Sequence, residues 1–331
     1  MRAALAAVLL AAALALPVAA RAEAPFAVAV ETRAIASFRI GSTETRFGAL
    51  EFAGGFEMRA AERVFGQLSA LRFLSPGRDF VGVADHGYWF FGTVTRDSDG
   101  APTGVSGFTM QAIADERGAA IAAKRRADAE GLDVEGGVAT VAFEREARVW
   151  EYALDPAGMG APLRDLDFVV PRHELRSNQG LETVARAPQS GPLAGARVVV
   201  AERSVDENGD IFAAVVEGPL KGVFKVRRSD GFDVTDGVFL PQGDLILLER
   251  RFSLVSGVAM RLRRIAGGAI LPGALVDGEI LMQADLSCRI DNMEGLDAWT
   301  RADGATVLSL ISDDNQSFLQ RTLYLEFVMR Q

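Results

Sequence analysis

Two residue types that commonly do chemistry are almost missing from this sequence. There is one cysteine, Cys288, and there are two histidines, His86 and His173, in 331 residues. A single thiol excludes an intrachain disulfide framework. With no paired histidines or cysteines, any bound metal must be held by oxygen. Cys288, within Leu286-Ser287-Cys288-Arg289, reads as a small buried hydrophobe. A basic surplus is also lacking: 35 Lys and Arg stand against 44 Asp and Glu, a formal charge of −9. Phosphate backbones repel such a chain, so nucleic acid is excluded as a partner. No Gly-x-Ser-x-Gly elbow occurs, and Gly104-Val105-Ser106-Gly107 has the wrong spacing. A Ser-His-Asp esterase is therefore the least supported enzyme class.

Long apolar runs are confined to the N-terminus. Met1-Arg2 is followed by an apolar stretch from Ala3 to Leu16, then Pro17 and small residues ending Ala20-Arg21-Ala22. That layout predicts a Sec-type signal peptide over residues 1–22, cut before Glu23. The run is shorter than the roughly 20 strongly apolar residues of a membrane span, and no later segment qualifies. The expectation is a periplasmic or secreted protein whose remaining domain, residues 23–331, lacks a transmembrane segment. Because the leader carries Arg2 and Arg21 and no acid, that domain is more acidic than the whole chain.

What the sequence has in quantity is short strands. Arg197-Val198-Val199-Val200-Ala201-Glu202 and Asp244-Leu245-Ile246-Leu247-Leu248-Glu249 are examples, and turns such as Ser75-Pro76-Gly77-Arg78 and Pro241-Gln242-Gly243-Asp244 bound the strands. One window, Ala112 to Ala129, mixes alanines and charges and predicts a short helical insertion. Five segments repeat one layout, opening at Ser69-Ala70-Leu71, Glu130-Gly131-Leu132, Glu182-Thr183-Val184, Asp236-Gly237-Val238 and Glu294-Gly295-Leu296. The steps are 61, 52, 54 and 58 residues, and the repeats close on Asp85, Glu144, Glu202, Glu249 and Asp313. A period near 50 with several strands per unit predicts an all-β propeller. The leftover pieces Phe47 to Arg59 and Thr322 to Met329 would pair as a further blade, giving six.

The start of one strand and the end of its antiparallel neighbour share a sheet edge. The two columns of acids should therefore meet at one mouth of the channel. Glu130, Glu182, Asp236 and Glu294 would form an inner ring of metal ligands, with Asp85, Glu202, Glu249 and Asp313-Asp314-Asn315 just outside. Crowded carboxylates need raised pKa values, arginine partners or a cation, and an oxygen-only set suits calcium before magnesium. Asp85, His86, Glu202 and Asp313 are the candidate catalytic groups. Arg203, Arg250 and Arg251 each follow a closing acid and could clamp an anionic substrate. The alternative at every one of these acids is a turn cap with no chemical role. His173, in a polar loop, reads as solvated, and Trp89 with Phe90 and Phe91 as blade packing.

In these segments the sequence resembles the phytase-like ("esterase-like activity of phytase") family of secreted bacterial proteins. The resemblance is carried by Asp128-Ala129-Glu130-Gly131-Leu132-Asp133, Asn178-Gln179-Gly180-Leu181-Glu182, Leu245 to Phe252, Asp291-Asn292-Met293-Glu294-Gly295-Leu296, and Ser312 to Ser317 with Gln320-Arg321-Thr322. It runs from about residue 47 to the C-terminus and implies a propeller-like fold, export and an esterase or phytase activity. The sequence is also similar to lactonase and paraoxonase-like propellers, in which an acid-Gly opening helps hold a catalytic calcium. Glu130 and Glu294 match that opening, Glu182 departs from it with Thr183, and Ser69 replaces the acid. The arginine-histidine signature of histidine acid phytases is absent.

Two functions follow. One is a metal-dependent hydrolase of phosphate esters, carboxylic esters or lactones, with Asp85, Glu202 or Asp313 as base. The other is a non-catalytic propeller that binds a small-molecule ligand or an envelope partner.

Overall fold

The computed structural model describes residues 23–330; the expected signal peptide, residues 1–22, lies outside them. Five antiparallel sheets follow one another along the chain. Blade one is Leu68–Phe73, Asp79–Ala84, Tyr88–Arg96 and Pro102–Ala112, with Phe26–Ala27 on its outer edge. Blade two is Ala129–Glu135, Val138–Phe143, Arg148–Ala153 and Arg164–Leu166. Blade three is Leu181–Arg186, Arg197–Val205, Ile211–Val215 and Gly222–Val226, with Leu275–Val276 added parallel. Blade four is Asp233–Phe239, Leu245–Ser253, Gly257–Ile265 and Glu279–Asp285. Each blade's first strand touches the first strands of its neighbours, and Asn292–Thr300 of blade five touches Leu68–Phe73 of blade one. That closes a five-bladed propeller.

The expected sixth blade is absent among the described residues. The terminal pieces do pair, Leu50–Arg59 against Thr322–Met329, but Thr322–Met329 also pairs with Thr306–Asp313. Only 37 residues follow Glu294, too few for a full repeat. The N-terminal strands Leu50–Arg59 and Glu31–Ile35 therefore complete blade five rather than begin another. Joining the two ends in one sheet fastens the ring shut.

The predicted helical insertion shrinks to one turn, Lys124–Ala127. Ala112 ends a strand and Ala129 begins one. Between them the Asp115 carboxylate accepts from the Arg117 and Ala119 amides, and Gly118 takes φ +76°. An aspartate bonding its own downstream backbone favours a tight turn over a helix.

Apolar side chains fill the seams between blades. Trp89, Phe143, Trp150 and Tyr152 pack between blades one and two, and Val198, Val200, Leu245 and Leu247 between blades three and four. Cys288 is buried and free, and His173 is exposed. Among the described residues no helix is long and apolar enough to cross a membrane.

Candidate functional site

Every inner strand carries a β-bulge near its start. The pairing skips one residue in each blade: Ser69, Glu130, Glu182, Thr235 and Glu294. A bulge leaves one residue out of the ladder and re-aims its side chain. Close approach follows at the next position. A Cβ on Gly131 would lie 2.6 Å from the Glu182 carbonyl oxygen, and one on Gly295 would lie 3.0 Å from that of Ser69. The acid-Gly opening thus pairs an aimed carboxylate with a backbone that must pass close to the next blade.

Glu130, Glu182 and Glu294 meet in one cavity of about 160 Å³ at the mouth of the channel. Around them stand Asp85, Asp128, Glu144, Glu202 and Asp313, together with Arg145, Arg250, Asn178 and Asn315. Eight carboxylates thus face two guanidinium groups. Oxygens of Asp85, Asp128 and Glu130 lie within 4.8 Å of one another, as do those of Glu144, Glu182 and Glu202.

Asp236 is not among them, and the reason is a one-residue slip. In blade four the bulge falls on Thr235, whereas Asp236 re-enters the ladder opposite Leu248. Deeper in the channel Asp236 accepts two bonds from Arg72, at 2.8 and 2.9 Å, and one each from the Gly237 and Leu296 amides. The same slip moves the closing column. Asp85, Glu144, Glu202 and Asp313 each follow the residue paired just ahead of the bulge, and in blade four that place belongs to Arg250. Glu249 is fully buried outside the cavity, 2.5 Å from both Arg261 and Arg263.

The remaining expectations separate in the same way. Arg250 lies inside, 3.0 Å from Glu294 and 3.3 Å from Glu202, and donates to the Asn292 side chain. Arg203 is half-exposed, 3.4 Å from Asp233. Arg251 reaches the Asp230 carbonyl and lies over the Phe232 ring. Neither Arg203 nor Arg251 lines the cavity. His86 sits in the turn with Nε2 3.0 Å from the Val64 carbonyl oxygen and its ring against Tyr88. Its Nδ1 is 3.6 Å from Asp85, behind the carboxylates rather than among them. Sequence reasoning assigned no role to Asp128, Arg145 and Asn178. Asp128 precedes Glu130 by two residues, as Asn292 precedes Glu294, and that offset was the available signal. Asp128 accepts from Arg145 at 2.6 Å, and Asn292 donates to Glu294 at 2.7 Å.

Crowding shows in the acidities. Burial first, then neighbouring negative charge, holds Glu130, Glu182 and Asp313 well above the usual carboxylate range. Burial, with the charges of Asp128 and Glu202, pushes Glu144 up to about 8. Burial raises Glu294 to about 7 against the opposing pull of Arg250. Glu182 is the sharpest case. Its residue is 7% exposed, it lines the cavity, and no hydrogen bond or ion pair engages its carboxylate among the described residues. Facing the cavity among like charges, such a group favours a proton or a cation. The donor set is all oxygen, which suits a hard cation.

A family model described as "Phytase-like: Esterase-like activity of phytase" matches residues 63–316. No curated protein matches the chain. Among solved structures it is similar to an endo-arabinase from Bacteroides thetaiotaomicron, at 12% identity over 87% of this chain and 96% of that one, TM-score 0.43. It is likewise similar to a PQQ-bound aldose sugar dehydrogenase from Streptomyces coelicolor, at 12% identity over 91% and 100%, TM-score 0.46. Likenesses that distant carry nothing about the site. The family match spans the inner strands of all five blades and both columns of acids, and the chain belongs to the phytase-like family.

Proposed function

We propose that the acidic mouth binds divalent cations, calcium before magnesium, and serves a hydrolase of phosphate esters, carboxylic esters or lactones. The carrying observation is Glu182, a buried residue whose carboxylate has no partner among the described residues in a cavity of eight. Asp85, Asp128 and Glu130 would hold one cation, and Glu144, Glu182 and Glu202 would supply a second set of oxygens. A bound cation there supplies Lewis-acid polarisation of the scissile group and a more acidic water. Asp313 stands outside both triads, and burial beside Glu294 raises its pKa, which makes it a stronger base once ionised and a candidate to take a proton from water. Arg250, already held by Glu202 and Glu294, orients these acids and presents positive charge to an ester oxygen. The family's description as esterase-like is in keeping with ester hydrolysis.

Export to the periplasm or beyond belongs to the same reading, and N-terminal sequencing of the exported protein is expected to begin at Glu23. For the chemistry, the chelator-stripped protein is titrated with calcium and magnesium, then screened on phosphate esters, carboxylic esters and lactones. Glu130→Gln combined with Glu294→Gln is expected to weaken cation binding and abolish hydrolysis. If that variant leaves both unchanged, the acids are structural. A cation site without any hydrolysis would give the non-catalytic binding propeller the lead.

A further inference from the structure

Beside the acidic mouth a cleft of about 850 Å³ opens over blades three to five, and Glu202 and Arg250 line both. Its size is that of a small-molecule site, roughly 300–1,000 Å³. Its charge differs from its neighbour's. Arg203, Arg228, Arg250 and Arg321 line it against only Glu202, Asp233 and Asp291. A guanidinium carries five N–H donors, and these arginines leave several unused. Arg228 reaches Asp233 through Nε alone, at 2.6 Å, and Arg203 reaches the same carboxylate through Nη1, at 3.4 Å. Arg321 bonds Asp291 through Nε at 3.3 Å and the Ile290 carbonyl through Nη2 at 2.9 Å. Among the described residues no protein group accepts from either terminal nitrogen of Arg228 or from Nη1 of Arg321.

The rest of the cleft is mixed: Asn292, Ser317 and Gln320 are polar, and beside them lies an open apolar strip. Phe252, Leu286 and Leu319 line it at 66%, 53% and 77% exposure. Leu254, Val255 and Phe318, on the same loops, continue the apolar rim into solvent. Exposed apolar side chains scattered singly mean little, but a group of them around one opening marks a binding surface.

We propose that this cleft binds an anionic amphiphile. Arg228 and Arg321 grip the oxyanion, assisted by Arg203, and the apolar portion lies along Phe252, Leu286 and Leu319. The occupant's place in catalysis rests on the hydrolase reading above, because Arg250 and Glu202 form the wall shared with the acidic mouth; its binding does not. The substrate class this adds is an ester with one anionic group and an alkyl or aryl group, rather than a small hydrophilic phosphate.

The test is calorimetry on the full chain with methyl-, butyl- and octylphosphonate and with the matching alkanoates. It is run with calcium, and again after the protein has been stripped by chelator and the chelator removed. Binding is expected in both conditions, about tenfold tighter for butyl than for methyl, since a half-open cleft gives less than full burial of three methylenes. Arg228→Ala and Arg321→Ala should each cost about tenfold at every chain length, the scale of hydrogen bonds to a charged group. Phe252→Ser with Leu319→Ser should remove the chain-length dependence and leave methylphosphonate unchanged. All four side chains are partly or largely exposed, so the variants should keep the parent's unfolding temperature. Whichever head group binds tighter identifies the oxyanion. No binding, or binding indifferent to chain length and to both arginines, overturns the proposal. Binding lost on stripping assigns the anion to a cation at the mouth and overturns it too. An acidic mouth that takes no cation, with phosphonate binding intact, defeats the hydrolase reading and leaves the cleft standing.

Discussion

The mouth of the channel and its middle are built from the same kind of residue with opposite outcomes. At the middle, Asp236 receives four hydrogen bonds, two of them from a buried arginine. Outside the channel, Glu249 is matched by two arginines at 2.5 Å. At the mouth, eight carboxylates share Arg145 and Arg250, with Lys124 3.8 Å from Asp85, and Glu182 has no partner among the described residues. A buried acid is compensated where the fold supplies its partners and left under charge repulsion where they are left out. The repeat alone does not separate the two, because both sets sit in the same columns of sequence.

The largest effect should come from breaking the compensated side. Arg72→Met leaves Asp236 buried without its ion-pair partner, which typically costs about 3–5 kcal/mol. For a chain of this size that is a fall in Tm of about 10 °C. A Tm near the parent's in differential scanning calorimetry would show that Asp236 never depended on Arg72.

Next in size is what a cation does to the uncompensated side. Calcium at about a hundred times its Kd should stabilise the stripped protein by about 2.7 kcal/mol, a rise of several degrees that grows with concentration. Magnesium should give less at equal concentration. No shift with either ion would make the mouth as structural as the middle.

Acidity sharpens the contrast further. Carboxyls raised in the folded state favour folding while protonated. Their contribution is complete below the unfolded pKa, near 4.5, and is lost as pH rises through the folded values. For Glu294 and Glu144 those lie at about 7 and about 8. Stripped protein should therefore lose stability between pH 5 and pH 8, and saturating calcium should flatten the loss. Thermal melts across that range check it, and a stripped protein that gains stability toward pH 8 would contradict the raised acidities.

The smallest effect is the most pointed. Glu182→Gln removes the cost of protonating or ionising a crowded carboxyl at neutral pH, so the stripped protein should melt higher, by about 1 kcal/mol of stability, while calcium binds more weakly. A lower Tm would reveal a partner for that carboxylate.

Much of this was legible from the chain. The five openings and closings located every inner strand, and Glu130, Glu182 and Glu294 reach the mouth from positions read off the repeat. Blade four resisted because Asp236-Gly237 imitates the acid-Gly opening one residue late. A bulge adds a residue without leaving a mark in an alternating pattern, so only the pairing shows that Thr235 takes the place and that Arg250, not Glu249, closes the column. The blade count failed for a reason of length: the last repeat runs out of chain and borrows Leu50–Arg59. Asp128 and Asn178 lay within the motifs that carried the family resemblance, but their reach into the cavity depends on the ring being closed.

That closure also sets an order in time. The strand that completes blade five pairs residues 50–58 with residues 322–329, nearly the whole chain apart. Contacts so distant in sequence form late, after the entropy of a very long loop has been overcome. The acidic mouth draws side chains from all five blades, so a partly made or partly emerged chain cannot offer it. Any cation captured there would then be a sign of a finished ring rather than a guide to building one.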